Sequence, residues 1–552
     1  KGGAKEASAG TDKDLLTLDV YSAAANYQGK QAGWFGKVIK DKFNIELNII
    51  SPQASGDAKA LYQTRCSSGN LGDIIVLDNA DFQDCVKAGL IADISEDIKN
   101  SKYLKDYTQQ MQSFNSNLEG DNGKKIFAIP CNMTNTSPTT YSDTEIYSSP
   151  MLPWDYFKEL GTPEMKNLDD LITVLEKMQK AHPTNSTGDP SYAITLWSDW
   201  DNPSVNAGIE TVNQICKWYG YEVNGSILLG KDGDMKELTD DAGTYYKMLH
   251  FLYEANQKGL IDPDSGTQDW ETACTKMKQK QVFLEWYSWQ TGFYNTIERG
   301  NKGDSYIHTP IADTNYYQPS DTYFGENRSW SVGSKVDAKK KARIMEFLDW
   351  LASPEGNTWL QDGIKGFNYT VGDDGKYTQT KEGENALMAN LPVPQDFGGG
   401  GYNDGMCKIN QWIVHANSLN PVTKEKYGNT KWSSYVKANE TTMKKEWAKK
   451  YGAPNETEYL KKTGQLKIIP SVNIILPSDS TDIALIRSQC GQLVCDTSWK
   501  MIFAKNENEF KQMWSDMKKQ LDGLGWKDLV AFDKQKYQKI VDARKEAMAK
   551  AQ

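Results

Sequence analysis

LLTLDVY at 15–21 alternates apolar and polar positions, the period of two that marks a half-buried strand. Trp34, Phe35, Val38 and Ile39 then recur at helical spacing. IELNII (45–50) predicts a second strand, residues near 58–68 a second helix, and DIIVL (73–77) a third strand. A β-α-β-α-β order needs helical crossovers over the sheet faces, so the sheet is expected to be parallel and doubly wound. Such sheets hold ligands outside the carboxyl ends of their strands. Asp78 and Asn79 fall at one such end, where a helix N-cap is the competing reading.

IFAIP (126–130) is strand-like and stops at Pro130; the Asn/Thr/Ser-rich stretch beyond it, including Asn132, reads as chain crossing between lobes near 136–142. Residues 154–181 predict a helical pair, with Leu168, Leu171, Ile172, Leu175 and Met178 as one apolar stripe and Asn167 as its cap. SYAITLWSDWDNPS (191–204) reads as a strand running into an aromatic and acidic loop. Helices near 241–258 and 270–280 follow, and the second leads into the strand VFLEWY. Residues 306–335 read as strand and loop, with a second crossing near 305–312. KKARIMEFLDWLASPEG (340–356) predicts one amphipathic helix, and 363–383 two short strands around a DDG turn. The last 150 residues are helix-rich, with many Lys and Glu.

At 552 residues the chain exceeds one hydrophobic core, so at least two domains are expected. Hydrophobic residues at 38% and charged residues at 25% mark a globular chain. The net charge of −10 argues against nucleic acid or an anionic membrane as partner, since both call for a basic face. It also disfavours a polyanionic sugar. No apolar run reaches the roughly 18–20 residues of a membrane span. The small, polar start, 1–14, reads as a flexible linker. Eight cysteines show no CxxC or CxxH spacing, which makes a zinc site improbable. Cys490 and Cys495, in CGQLVC, read as close enough to bridge a tight loop; one or two disulfides and buried free thiols stay open alternatives. The 17 Trp and 28 Tyr change the picture most, because core packing alone rarely asks for so many amphipathic rings.

The order of these pieces resembles extracellular solute-binding proteins of ABC transporters, of the large carbohydrate type from Gram-positive bacteria. LGDIIVLDNADFQDCVKAGLIADIS, GKKIFAIP, PWDYFKELGTPEMKNLDDLITVLEKMQKAHP and WLASPEGNTWLQDGIKGFNYTVGDDGKYTQT follow one another as the family's segments do, from about residue 15 to beyond 380. The resemblance implies an α/β, two-lobed, periplasmic-binding-protein-like fold with a central ligand cleft and a hinge. The expected division is 15–140 plus 310–365 in one lobe and 141–309 plus 366–552 in the other. It also implies a monomer outside the cell, lipid-anchored through a cysteine absent from this chain, that delivers ligand to transport permease subunits. Where some relatives carry a calcium loop, this chain has HPTNSTGDPSY with the single carboxylate Asp189, so no calcium is expected there. Asn368 stands where relatives often have His, which removes any contact carried from that position.

A sugar offers apolar C–H faces and a rim of hydroxyls, so flat rings for the faces, with Asp, Asn, Gln and Arg for the rim, are the pattern to seek. Trp197, Trp200 and Asp201 in LWSDWDN, Glu285, Trp286 and Trp289 in FLEWYSWQTGFY, and Trp330 after GENRS are the candidates, with Asp78, Asn79 and Asn132. Trp286 is expected as the stacking platform and Trp289 as its wall, with Phe283 and Leu284 in the core. The ligand expected is a neutral oligosaccharide, manno- or xylo-oligosaccharides first. His182, His250, His308 and His415 form no metal pattern, and no GxSxG elbow or P-loop occurs, so neither catalytic residue, metal nor cofactor is expected. A secreted carbohydrate-active enzyme using paired carboxylates, or a peptide binder of the same fold, are the alternatives.

Overall fold

A computed structural model describes residues 13–551, so the linker expected over 1–14 lies outside the described residues apart from Lys13 and Asp14. Strands Leu16–Ser22, Ile45–Ile50 and Ile74–Asp78 pair in parallel, and helices Gly33–Phe43 and Ala58–Ser67 make the crossovers. Arg328–Val332 returns from far along the chain to pair antiparallel with Ile74–Asp78, and Ile129–Pro130 closes that side of the sheet. Gly29–Lys30 pairs antiparallel at the opposite edge. The sheet is therefore doubly wound as expected, but mixed.

A second sheet centres on Ser148–Pro153, with Glu285–Tyr287 and Tyr306–His308 antiparallel on either side. Parallel bridges Tyr192 to Val282 and Ile194 to Ile261 extend it, so SYAIT contributes bridges in place of a full strand. A meander, Tyr221–Asn224, Ile227–Gly230 and Met235–Glu237, and the long helices Thr481–Ile502, Glu507–Leu524 and Trp526–Ala551 complete this half.

Each lobe packs around its sheet, and the two largest hydrophobic cores divide between them, with a smaller one, including Ile75, Phe82 and Phe114, on the other face of the first sheet. Of the two largest, one gathers Leu18, Val20, Ile74 and Trp330 with Phe347, Ile364, Ile413 and Tyr427; the other gathers Leu152, Leu171, Trp197 and Trp286 with Tyr316, Met443, Val494 and Leu529. Residues 366–427, expected in the second lobe, thus pack into the first, because their apolar positions close over helix Gly33–Phe43 and helix Pro354–Asp362. Ile311 and Tyr316, expected in the first lobe, belong to the second. The chain passes between the lobes after Met133, after Tyr316 and after Tyr427, and then out and back around Ile475, five crossings in place of the two expected.

The amphipathic segment 340–356 is two helices, Ala338–Leu351 and Pro354–Asp362. Ser353 ends the first and caps the second, accepting from Gly356 N with Pro354 in the opening turn, a geometry that Pro favours. Cys490 and Cys495 sit inside helix Thr481–Ile502, not in a loop, and are buried free thiols. Asn167 caps helix Leu168–Ala181, and the DDG turn joins Tyr369–Val371 to Tyr377–Gln379, both as expected.

Candidate functional site

A cavity of about 420 Å³ opens where the crossings meet. Tyr141, Asp143 and Tyr147 come from the first crossing, Tyr317, Asp321 and Glu326 from the second, and His415 and Asn417 from a segment that pairs in parallel with Met133. Lys217 and Ser288 enter from the second lobe.

The backbone of this region is held by side chains. Asp321 accepts from Ser142 N at 3.1 Å, Ser142 Oγ at 2.5 Å and Asn417 Nδ2 at 3.2 Å, so one carboxylate ties three segments together. Gln318 Oε1 accepts from Tyr147 N at 2.8 Å. The Tyr317 hydroxyl donates to Glu222 at 2.7 Å and accepts from Arg544 at 2.6 Å, which anchors it to the meander and to the last helix. Gly325 takes φ +81, and a Cβ there would stand 2.5 Å from Pro130 Cβ and 2.6 Å from Cys131 O. The position requires glycine on both counts, and it aims the next residue, Glu326, at the cavity.

The lining matches a hydroxyl-rich ligand. Tyr141, Tyr147 and Tyr317 supply ring surface; Asp143, Asp321, Glu326, Asn417 and His415 supply polar atoms. Lys217 lies 4.9 Å over the Tyr147 ring and is the cation of the lining. Burial and nearby carboxylates push the Tyr141 and Tyr317 phenols up, so both stay neutral at physiological pH.

The expected tryptophans divide by depth. Trp286 is 1% exposed and stacks on Trp197 at 5.5 Å and 7°. Both are core residues, as is Trp330, fully buried in the middle of the first sheet. The reason is the bulge between Glu285 and Tyr287: alternation fails there, and Glu285, Trp286 and Tyr287 are all buried. Trp289 is 39% exposed and stacks on Tyr287 at 4.8 Å, and Tyr287 meets Tyr147 at 5.6 Å. Trp286, expected as the stacking platform, thus lies in the core, and Trp289, expected as its wall, is the exposed ring. Trp289 and Tyr147 are the exposed end of a ring series that runs back through Tyr287 and Trp200 to Trp197 and Trp286.

Asp201 is committed to the protein, accepting from Glu210 N and Trp499 Nε1, both at 2.8 Å, and burial pushes its carboxyl up to about 6. Glu285 is wholly buried with neither oxygen paired, and burial pushes it up to about 8. Neither is presented to a ligand. Asp78 pairs with Arg328 at 2.8 Å, Asn79 donates to Asn473 at 2.9 Å, and Asn132 donates to Glu326 at 3.4 Å. These three stand at the carboxyl end of the first sheet, beside the cavity through Glu326. Asn473 belongs to a segment that leaves the second core after Leu466 and lies on the first, where Asn117 donates to its carbonyl at 3.1 Å and accepts from Ile475 N at 3.0 Å.

Sequence reasoning missed most of the lining. Tyr141 and Tyr147 follow the Asn/Thr/Ser-rich stretch read as a crossing, and YYQPSDTYFGEN holds Tyr317, Asp321 and Glu326; the dense alternation of rings and polar residues there was the available signal. Among the described residues no three His, Cys, Asp or Glu side chains come together as a metal-binding group would. No helix described is long and apolar enough to cross a membrane.

Residues 25–358 match the family model described as bacterial extracellular solute-binding protein. Lipoprotein LipO of Bacillus subtilis is 23% identical over 380 residues, 66% of each chain. The fructooligosaccharide ABC transporter substrate-binding protein FusA of Streptococcus pneumoniae is 25% identical over 253 residues, 44% of each chain. The chain thus spans less than two thirds of the length of these curated relatives. The solved structure of FusA in complex with kestose superposes with a TM-score of 0.59 at 16% identity, covering 96% of this chain and 99% of that one. An extracellular solute-binding protein from Bifidobacterium longum subsp. infantis gives 0.64 at 13% identity, covering 95% and 98%. At these identities the likeness is one of fold: two lobes around a cleft.

Proposed function

The chain belongs to the bacterial extracellular solute-binding protein family, and from that premise we propose that it binds a neutral oligosaccharide in the interlobe cavity and hands it to an ABC importer. One observation carries the reading: the cavity at the crossings joins tyrosine rings to carboxylate and amide groups, the two kinds of surface a sugar presents. Asp143, Asp321 and Glu326 outnumber Lys217 there, which disfavours uronates and other acidic glycans. FusA, a relative, is named for fructooligosaccharides. Manno- and xylo-oligosaccharides stay the first candidates for this chain, with kestose beside them.

The protein acts as a monomer and leaves its ligand unchanged. Of the carboxylates singled out from the sequence, Asp201 and Glu285 are packed away from the cavity and Asp78 is paired with Arg328. A place on the outer face of the membrane through a lipid anchor is supported by the lipoprotein relative. Calorimetry against manno-, xylo-, malto- and cello-oligosaccharides, kestose and a peptide library tests the reading. Binding of a neutral glycan, with no shorter products after long incubation, is expected. Binding of peptides alone, or turnover that survives purification, overturns it.

A further inference from the structure

A second hollow, about 330 Å³, lies in the first lobe and shares no lining residue with the interlobe cavity. Helix Pro354–Asp362 brings Trp359 to it, the hairpin brings Tyr369 and Tyr377, and the loop beyond Asn417 brings Asn420. Trp359 stacks on Trp34 at 6.1 Å and 29° and remains partly exposed where it lines the hollow. Tyr369 and Tyr377 lie 4.5 Å apart, and both rest against buried Trp432, so the rings are held in place before any ligand arrives.

The polar lining is balanced, with Glu355 and Lys365 the charged pair. Next to the tyrosines, Asp362 is buried with neither oxygen paired. A space bounded by aliphatic side chains would be a packing void. This one is walled by amphipathic rings and by donors and acceptors without net charge, and its volume meets the lower end of small-ligand pockets, roughly 300 Å³.

We propose that this hollow is a second saccharide site, taking a short neutral sugar on the Trp359 ring with Tyr377 and Asn420 at its hydroxyls. The proposal takes its ligand class from the saccharide reading of the interlobe cavity. Two sites on one chain hold a long glycan by both ends or retain a second one at the surface, and linked binding of that kind raises residence without new contacts at the first site.

Calorimetry of the full chain with maltotriose, xylotriose, mannotriose and kestose tests it, using wild type, Trp359→Ala, Tyr377→Ala and Tyr147→Ala. The expected result is two binding events with at least one sugar. Trp359→Ala and Tyr377→Ala each weaken one event tenfold or more; Tyr147→Ala weakens the other. Tyr377 lies on a partly exposed hairpin, so its variant keeps the test decisive if Trp359→Ala fails to fold. Absence of any event sensitive to Trp359 or Tyr377 with all four sugars overturns the second site, whatever happens in the cleft. An event that needs Trp359 but persists in Tyr147→Ala, with no other event seen, upholds it and counts against the interlobe reading.

Discussion

Two tryptophans three residues apart show how one side chain's depth decides its work. Trp286 stacks against Trp197 in the second core, and its Nε1 has no partner. Trp286→Ala leaves a cavity and is expected to cost about 3–5 kcal/mol, read as a lowered midpoint in denaturant, with affinity kept in whatever fraction folds. Trp289→Ala removes a ring that is partly exposed but packed on Tyr287 and Trp200, and is expected to lower the midpoint by about 1–2 kcal/mol, well short of the core tryptophan. Its loss should weaken glycan binding roughly tenfold or more if the ring extends the tyrosine surface of the cavity, measured by calorimetry on the same preparation. Glu285 adds a pH dependence. Its carboxyl is raised from 4.5 to about 8 by burial, so the folded state holds a proton that the unfolded chain releases. Stability contributed in this way is present below about pH 4.5 and is lost as pH rises toward 8. Glu285→Gln is therefore expected to match wild type near pH 5 and exceed it at pH 9, by up to roughly 4 kcal/mol on melting. His308 works on the other limb: burial lowers it from 6.5 to about 3, so its contribution is lost as pH falls through that window.

At the scale of elements, the first sheet and its crossovers were legible because period-two and helical patterns each matched one burial environment. The second sheet was less so. VFLEWY carries a bulge, and a bulge breaks the alternation that assigns side chains to faces, which is why Glu285 and Trp286 were expected at the cleft and lie in the core. CGQLVC read as a tight loop from the close spacing of its cysteines, yet it is helical, and Gly491 passes so close to Pro203 O that a Cβ would stand 2.1 Å away. The long C-terminal helices are locked by a feature no local pattern announces. Arg487 donates to Asp533 at 2.7 and 2.9 Å and to Asp479, while Asp533 also accepts from Ser226 N at 2.9 Å and Ser226 Oγ at 2.7 Å. Asp533→Ala leaves the buried Arg487 guanidinium with Asp479 as its carboxylate and two Ser226 donors unanswered, so a loss of about 2–3 kcal/mol is expected in urea unfolding. If the cost stays below 1 kcal/mol, the network contributes nothing to stability.

The division into two lobes followed from length and resemblance, but the allocation of 366–427 did not, since a helix and loop pattern carries no record of which core it covers. Three of the crossings meet at the cavity, and ligand that touches both lobes favours the closed arrangement by its added contacts. X-ray scattering at saturating ligand is expected to show a smaller radius of gyration than the free protein; an identical profile would refute a hinge. Closing has a second determinant in the segment around Asn473, which leaves the second lobe and fastens to Asn79 and Asn117 of the first. A segment fastened in this way is expected to act as a tether. Limiting how far the lobes part is expected to set the fraction of time the cleft is ready to bind. Apparent affinity scales with that fraction, so Asn473→Ala is expected to loosen binding several-fold through faster release, with the cavity lining untouched. Ligand release is then expected to answer to the rim as well as to the lining.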